Sequence, residues 1–413
     1  MNILDDLKWR GILNAITNEE KFAEVLNQHK CAYVGFDPSA SSLHLGNYVM
    51  LMMVRRLNQA GIKTYAMVGG ATGMIGDPSG KSAERNLLNA ETVEFNKQAI
   101  IRQLKKYATE DVLDNYEHFK NMSFLTFLRD VGKMVSINYL LEKEVIKTRL
   151  ESSGLSYTEF SYNLIQSYDF LTYYQNYNVA LQVGGSDQWG NITAGIEMIR
   201  KTVGDENIAC GMTMNLLTNS EGKKFGKSEK GAIFLDPSLT SPYEMYQFLI
   251  NQPDSEVIKL LKFLTLLSHD EITAIEAAHL AEPAKRIAQT KLAEFVVTDI
   301  HGADVYNRVQ EISKILFSGD IKSLSLAELK SAMQNVPSEV IEAEEINIVD
   351  LLVALNVVTS KTKARELVSN NSIMINGDKV NDLEFMVKKA DAFNQEFTVV
   401  KKGKKNYFVA SFK

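Results

Sequence analysis

The stretch YVGFDPSASSLHLGN, residues 33–47, decides the fold. Its apolar start, Ala32 to Phe36, is the length and composition of a buried strand. Asp37-Pro38-Ser39 breaks that strand, and Ser41 and Ser42 offer N-caps to the segment after it. From Leu43 to Ala60 the apolar residues recur with helical period, and Gly61 stops them. His44, Gly46 and Asn47 then fall in the first turn of a helix leaving a strand. There, main-chain N–H groups and the helix dipole favour a phosphate. The plainer reading is a strand–helix junction capped by a histidine, and the stretch by itself does not choose between them.

Working outward, Thr64 to Val68 reads as a second strand, so the two strands and the helix between them form a βαβ unit and imply a parallel sheet. This strand empties into GGATGMIGDPSGKSAER, Gly69 to Arg85. In a doubly wound sheet both loops open on one crevice at the carboxyl ends of the strands. Gly69 to Gly76 lacks the G-x-G-x-x-G spacing of a dinucleotide site. Gly76 to Ser82, and likewise Gly222 to Ser228, falls one residue short of a P-loop, and Pro78 removes an N–H that such a cradle uses. P-loop ATPases and dehydrogenases are thereby excluded.

Within Phe160 to Leu171, Tyr162, Gln166 and Asp169 share one helix face among apolar neighbours. A buried polar stripe needs partners, either a structural network or a polar ligand. Val179 to Val183 is another strand, running into GGSDQWGN, residues 184–191. Its glycines admit a flat ligand, and Asp187 is placed to accept ribose hydroxyls, or else to cap a tight turn. The run TNSEGKKFGKSEKG, 218–231, carries Lys223, Lys224, Lys227 and Lys230 and reads as a mobile basic loop.

Residues 1–30 read as a helical lead-in. Residues 91–151 read as a helical insertion whose apolar centres, 124–128 and 139–141, allow either a subunit contact or packing within the monomer. Residues 243–318 are helical, and 323–345 form a weakly patterned connector. From Ile348 onward, eleven Lys or Arg face seven Asp or Glu, a local +4 on a chain of net −6. That tail combines two short helices, an Asn376-Gly377 strand turn and the KKGKK turn at 401–405, as expected of a small reader of phosphate backbones.

At 413 residues with 45% hydrophobic and 23% charged side chains, the chain supports two or three globular domains. No apolar run nears the ~18 residues of a membrane span. MNILDDLKWRG has no signal-peptide core, and Cys31 and Cys210 match no metal spacing. The expectation is a cytoplasmic protein with reduced thiols and no membrane partner.

His44-Leu45-Gly46-Asn47 resembles the HIGH signature of class I aminoacyl-tRNA synthetases, and Lys224-Phe225-Gly226-Lys227-Ser228 resembles their KMSKS loop. With GDPSGK and GGSDQWGN between them, and a tail similar to S-four-type RNA-binding modules, the chain resembles the bacterial tyrosyl-tRNA synthetases. Asn47 stands where HIGH has its second histidine, and Phe225-Gly226 where KMSKS has Met-Ser; both lysines are kept. The resemblance implies a Rossmann-like catalytic domain (1–220, insertion about 91–151), a signature loop and linker (221–240), and an α-helical anticodon-side domain (241–320). A linker (321–347) and an S-four-type α+β domain (348–413) would complete the chain.

It further implies a homodimer acting on L-tyrosine, ATP with Mg²⁺ and tRNA(Tyr). Ser39, His44, Lys81, Arg85, Lys224 and Lys227 would contact phosphates. Asp37, Gly46, Asn47, Gly185, Asp187 and Lys227 would hold ATP. Tyr33 and Asp169 would bind the phenolic hydroxyl, Asp77, Tyr162 and Gln166 the ammonium, and Gln188 would lie near the carboxylate. A tryptophanyl-type synthetase and a non-catalytic RNA-binding relative are the competing readings. The first has no need of a Tyr33/Asp169 pair, and the second does not explain the retained His44, Lys81, Lys224 and Lys227.

Overall fold

A computed structural model describes residues 2–79, 87–152, 154–218, 222, 224–228, 231–403 and 406–413, with the main chain alone at 144, 145, 152, 227 and 228. The chain divides into two compact units, Met1–Thr240 with Ile250–Val296, and Ser241–Leu249 with Val297–Lys413.

The first unit is built on a six-stranded sheet. In chain order it runs α1 (Ile3–Trp9), β1 (Leu13–Ile16), α2 (Glu19–Asn27), β2 (Cys31–Phe36), α3 (Leu45–Gln59), β3 (Thr64–Val68), α4 (Thr72–Ile75) and α5 (Ala90–Tyr107). Next come β4 (Val112–Asp114) and four short helices, α6 (Tyr116–Phe119), α7 (Phe124–Asp130), α8 (Ile137–Leu141) and α9 (Glu144–Ser152). After them stand α10 (Tyr157–Asn176), β5 (Val179–Gly185), α11 (Trp189–Val203) and β6 (Cys210–Met214). The strand order is β1-β6-β5-β2-β3-β4; all neighbours pair in parallel except β1, which lies antiparallel on β6. The chain therefore winds one way from β2 through β3 to β4, then returns to the other side of β2. The crevice between the ends of β2 and β5 is the switch point, where this architecture binds ligands.

Register decides what faces that crevice. Tyr33 pairs with Tyr65 on one side and Gln182 on the other, so these three side chains stand on the same face. Gly35, two residues on, is exposed although its strand is central, so the sheet itself floors an opening there. Beside it, the rest of that face is closed by Phe170, Leu171 and Tyr173 of α10 and Met198 and Ile199 of α11.

Three local expectations are corrected. The lead-in is not all helix: Leu13–Ile16 is an edge strand. The insertion contains β4, which extends the sheet at its other edge. Ser41 and Ser42 do not cap α3; His44 does, in a reciprocal box in which its Nδ1 accepts from Asn47 N–H (3.2 Å) and Asn47 Oδ1 accepts from His44 N–H (3.1 Å).

After β6 come the two-residue strands β7 (Lys227–Ser228) and β8 (Gly231–Ala232), then α12 (Pro242–Ile250), α13 (Asp254–Leu264), α14 (His269–Ala281), α15 (Ile287–His301) and α16 (Ala303–Ser318). The division between units falls inside α15, so the helical run read from sequence as one block is shared between them. In the first unit, α13 is tied to α3 by Arg56, buried on α3, whose Nη2 donates to the carbonyls of Lys262 (2.9 Å), Phe263 (3.1 Å) and Thr265 (2.6 Å). Desolvation lowers the Arg56 guanidinium to about 9, and carbonyls at a helix C-terminus are the partners that favour its charge.

The second unit adds α17 (Leu326–Met333), β9 (Ser338–Ile341), β10 (Glu345–Asn347), α18 (Ile348–Ala354) and α19 (Lys361–Ser369). It ends with β11 (Ile373–Ile375), β12 (Asp378–Val380), β13 (Met386–Lys388), β14 (Phe397–Lys402) and β15 (Asn406–Phe412). Its five-stranded sheet, β12-β11-β14-β15-β9, is covered on both faces. Val400 and Ala410 pack with α18 and α19, while Val399 and Val409 pack with α16 and α17. The stretch 323–345 is thus no loose connector, because α17 and β9 are integral to this sandwich. The Asn376-Gly377 turn is as expected, with φ of 49° and 92°. The KKGKK run is not uniformly a solvated basic turn. Lys401 is buried and donates to the carbonyls of Leu316 (2.7 Å) and Phe317 (2.9 Å), closing the end of α16, and Lys402 donates to Val357 O (3.1 Å). Lys404 and Lys405 lie outside the described residues.

Candidate active site

A cleft of about 360 Å³ opens at the β2/β5 switch point. It brings together Tyr33, Asp37, Ser39, His44, Gly46, Asn47, Asp77, Tyr162, Gln166, Gly185, Asp187, Gln188 and Lys224, residues spread over some 190 positions of sequence. Asp169 is the exception among the described residues: it is fully buried just behind the wall. Lys81 and Arg85 lie outside the described residues, as do Lys223, Lys230 and the side chain of Lys227.

One end of the cleft is acidic and densely hydrogen-bonded. Tyr162 Oη donates to Asp37 Oδ2 (3.0 Å), and Thr72 Oγ1 donates to Asp37 Oδ1 (2.7 Å). Asp77 accepts from Gln188 Nε2 (2.7 Å) and from Ser79 N–H (2.8 Å). Even so, burial pushes its carboxyl up to about 6, with Asp37 adding to the effect. Asn191 Nδ2 faces Gln166 Oε1 (3.0 Å), Gln188 Oε1 (3.2 Å) and Ser79 Oγ (3.3 Å), and its own Oδ1 accepts from Asn163 (2.8 Å). Of the polar stripe on α10, Gln166 is thus joined to Asn191 of α11, whereas Tyr162 turns to Asp37 and Asp169 to Asn115 and His118. A buried carboxyl under strain from its own desolvation is stabilised by a cation, so this end suits an ammonium group.

Deeper in, Tyr33 Oη is buried with no hydrogen-bond partner among the described residues, and Gln182 Oε1 likewise. The Tyr33 phenol is held protonated, first by burial and then by the charge of Asp169. Asp169 accepts from Asn115 Nδ2 (3.0 Å) and lies 2.7 Å from His118 Nε2. An uncompensated hydroxyl beside a buried carboxylate is a place for a ligand hydroxyl.

The other end is made of main chain. Leu45 N–H donates to Ile233 O (2.9 Å) and Ile233 N–H to Gly226 O (2.9 Å), while His44 bridges Phe234. The two signature segments are thus laced together. Two first-turn N–H groups of α3, those of Leu45 and Asn47, are already bonded, so an anion there meets the dipole and side chains rather than a free cradle. Gly226 has φ +87°, and a Cβ there would sit 2.5 Å from Gly46 N. Lys224 Nζ lies 3.4 Å from Asp187 Oδ2, over the end of β5.

Sequence reasoning missed Thr72, Gln182, Asn191, Asn115 and His118. Asn191 lies in the quoted GGSDQWGN and was within reach. Asn115 and His118 come after β4, a strand too short to announce itself, and nothing local marks them.

Residues 26–318 match the family of class I tRNA synthetases (W and Y), and 328–410 match the tyrosine–tRNA ligase SYY-like C-terminal domain. The chain is 59% identical over 408 residues to the tyrosine–tRNA ligase of Ureaplasma urealyticum, covering 99% of this chain and 98% of that one. It is 48% identical over 422 residues to the tyrosine–tRNA ligase of Streptococcus agalactiae, covering both in full. Among solved structures, a C-terminally truncated mitochondrial tyrosyl-tRNA synthetase of Aspergillus nidulans superposes with a TM-score of 0.67 at 29% identity, covering 76% of this chain and 94% of that one. The chain belongs to the class I tyrosyl-tRNA synthetase family, in its bacterial form with an S-four-like C-terminal domain.

Proposed function

We propose that the protein is a tyrosine–tRNA ligase whose cleft carries out both steps of the reaction. A carboxylate oxygen of L-tyrosine attacks the α-phosphorus of ATP; the bond to the bridging oxygen breaks, and pyrophosphate leaves with that electron pair. A terminal ribose hydroxyl of tRNA(Tyr) then attacks the acyl carbon of the adenylate, AMP leaves, and the hydroxyl proton passes to solvent or phosphate. The attacking carboxylate needs no base, so the work is positioning and charge stabilisation. The observation that carries this reading is the single cleft joining the Asp77–Tyr162–Gln166 cluster to the interlaced signature segments.

In this reading Tyr33 and Asp169 take the phenolic hydroxyl, and Asp77, Tyr162 and Gln166 the ammonium, with Gln188 beside the carboxylate. Asp37, Gly46, Asn47, Gly185 and Asp187 hold the nucleoside. Ser39, His44, Lys81, Arg85, Lys224 and Lys227 meet the phosphates, the last pair on a loop that closes over ATP. Mg²⁺ would travel with the ATP phosphates and offset their charge. The lysines would be this chain's own contribution there, while Asp37 accepts from Thr72 and Asp77 from Gln188 within the cleft. Residues 1–220 carry the chemistry, 221–240 the loop, 241–320 the anticodon-side helices, and the part beyond 321 grips tRNA.

A homodimer fits the exposed apolar face of the insertion, where Phe124 and Leu125 are 65% and 75% exposed and Leu128, Ile137 and Leu141 are also exposed. The proposed reaction belongs in the cytoplasm, where tRNA and ATP are found; no described helix is long and apolar enough to cross a membrane. Charging of tRNA with radiolabelled amino acids tests the proposal: tyrosine alone is expected to be esterified, and to tRNA(Tyr) alone. Charging with tryptophan, or none with any amino acid, would overturn it.

A further inference from the structure

The hydroxyl end of the cleft has a second layer that the reaction scheme does not use. Asp169 is 0% exposed, and each of its oxygens meets one group from behind: His118 Nε2 at Oδ1 (2.7 Å) and Asn115 Nδ2 at Oδ2 (3.0 Å). With Asp169 ionised, its oxygens only accept, and the bond at 2.7 Å is then one that His118 donates from Nε2. Asn115 is itself fixed, its Oδ1 accepting from Ala71 N–H at 2.7 Å. The His118 ring is oriented by Phe119, Tyr173 and Tyr168, with centroids at 4.6, 5.6 and 6.1 Å. A carboxylate offers about four acceptor sites, so two remain for a donor in the pocket, near the unpartnered Tyr33 hydroxyl.

We propose that His118 is a specificity-determining positioning residue, which keeps Asp169 ionised and aimed so that the pocket accepts a phenol and rejects a plain phenyl ring. This rests on the reading of Tyr33 and Asp169 as the hydroxyl-binding pair. Burial drives the Asp169 carboxyl upward, and the bonds from His118 and Asn115 are what hold it back. The surrounding groups do not replace them. Asp114, at the end of β4, adds like charge but is paired with Lys97 of α5 at 2.9 Å. Tyr33 on β2 and Tyr162 and Tyr173 on α10 are phenols that burial keeps neutral. Without His118, the carboxyl takes up a proton and becomes a donor as well as an acceptor. A site built to bond a hydroxyl discriminates because its polar groups go unpaired with the analogue lacking it, an effect for which this enzyme family is the standard illustration. A protonated Asp169 weakens that penalty.

The test compares the full-length wild type with His118→Phe, which keeps a ring but no donor, and His118→Gln, which keeps a donor that does not titrate. Tyrosine Kd, and kcat/KM for ATP–pyrophosphate exchange with tyrosine and with phenylalanine, are measured from pH 6 to 8.5 and expressed relative to wild type. For His118→Phe, tyrosine affinity is expected to fall at least tenfold at pH 6.5 and the deficit to narrow as pH rises and Asp169 re-ionises. Its tyrosine-over-phenylalanine preference should fall at least tenfold, mainly through tyrosine. His118→Gln should stay within about threefold of wild type in both. Wild-type behaviour of His118→Phe, an equal pH-independent loss for both amino acids, or a His118→Gln as impaired as His118→Phe would each overturn the proposal. A wild type that does not bind tyrosine would instead overturn the reading on which it rests.

Discussion

Asp77 and His44 carry sharp consequences at the scale of single residues. The Asp77 carboxyl titrates near 6 in the fold, above its ordinary value, so the folded state holds its proton longer than the unfolded chain does. Its ionisation therefore costs stability as pH rises through roughly 4 to 6. An ammonium beside it reverses the preference, so tyrosine binding should release a proton near pH 6, and affinity should weaken as pH falls below it. Calorimetry in buffers of different ionisation enthalpy reads that proton; Asp77→Asn should abolish it and weaken tyrosine binding by roughly tenfold to a hundredfold, the worth of one charge-assisted hydrogen bond. His44 both caps α3 and faces the cleft. Asparagine is also a good cap, so His44→Asn should leave thermal stability nearly unchanged while ATP–pyrophosphate exchange falls at least tenfold; His44→Ala should also lose about 1 kcal/mol of stability. Full exchange by His44→Asn would reduce the histidine to a cap. Tyr162 and Gln166 were legible in the sequence because they break an apolar context, and Tyr33 only through the family resemblance, whereas His118 and Asn115 were not, because a residue that acts through another leaves no local pattern.

At the scale of elements, the parallel strands β2, β3 and β5, together with α3 and α10, were legible because each is long enough to show its period. β6 and β15, of five and seven residues, escaped the reading, and so did the short strands β1, β4 and β9, of three or four residues each. The short ones exist because a neighbouring edge supplies their partners, not because of their own composition. The signature loop was read as a basic run, yet its described part is defined by a glycine. Gly226 combines a left-handed φ with close approach to the N-terminus of α3. Gly226→Ala should therefore cost about 1–3 kcal/mol at the seated loop. The expected result is exchange reduced at least tenfold, with tyrosine Kd changed less than twofold, since the strain falls on the ATP side. An equal loss of tyrosine affinity would mean that the loop supports the whole cleft.

At the scale of the molecule, the −6 chain with its +4 tail pointed to a late nucleic-acid module, and the matched C-terminal domain accords with it. Charge counting could not foresee that Lys401 spends its charge on carbonyls at the end of α16 and Lys402 on the Val357 carbonyl between α18 and α19, nor that β9 belongs to the module. A cut at 347 would strip β9 from its sheet, so the informative truncation ends at Asp320. It should keep ATP–pyrophosphate exchange and lose most tRNA charging, the remaining charging of the full chain falling steeply with salt. Leu125→Lys should shift sedimentation from dimer to monomer if the insertion face is the subunit contact; an unchanged dimer would place that contact elsewhere. The central claim is that this cleft reads the tyrosine hydroxyl before it spends ATP. It is tested most directly by ATP–pyrophosphate exchange of the intact protein with tyrosine, phenylalanine and tryptophan in parallel. Exchange driven by tyrosine and barely detectable with the other two is the predicted result; exchange driven equally well by tryptophan or phenylalanine would contradict it.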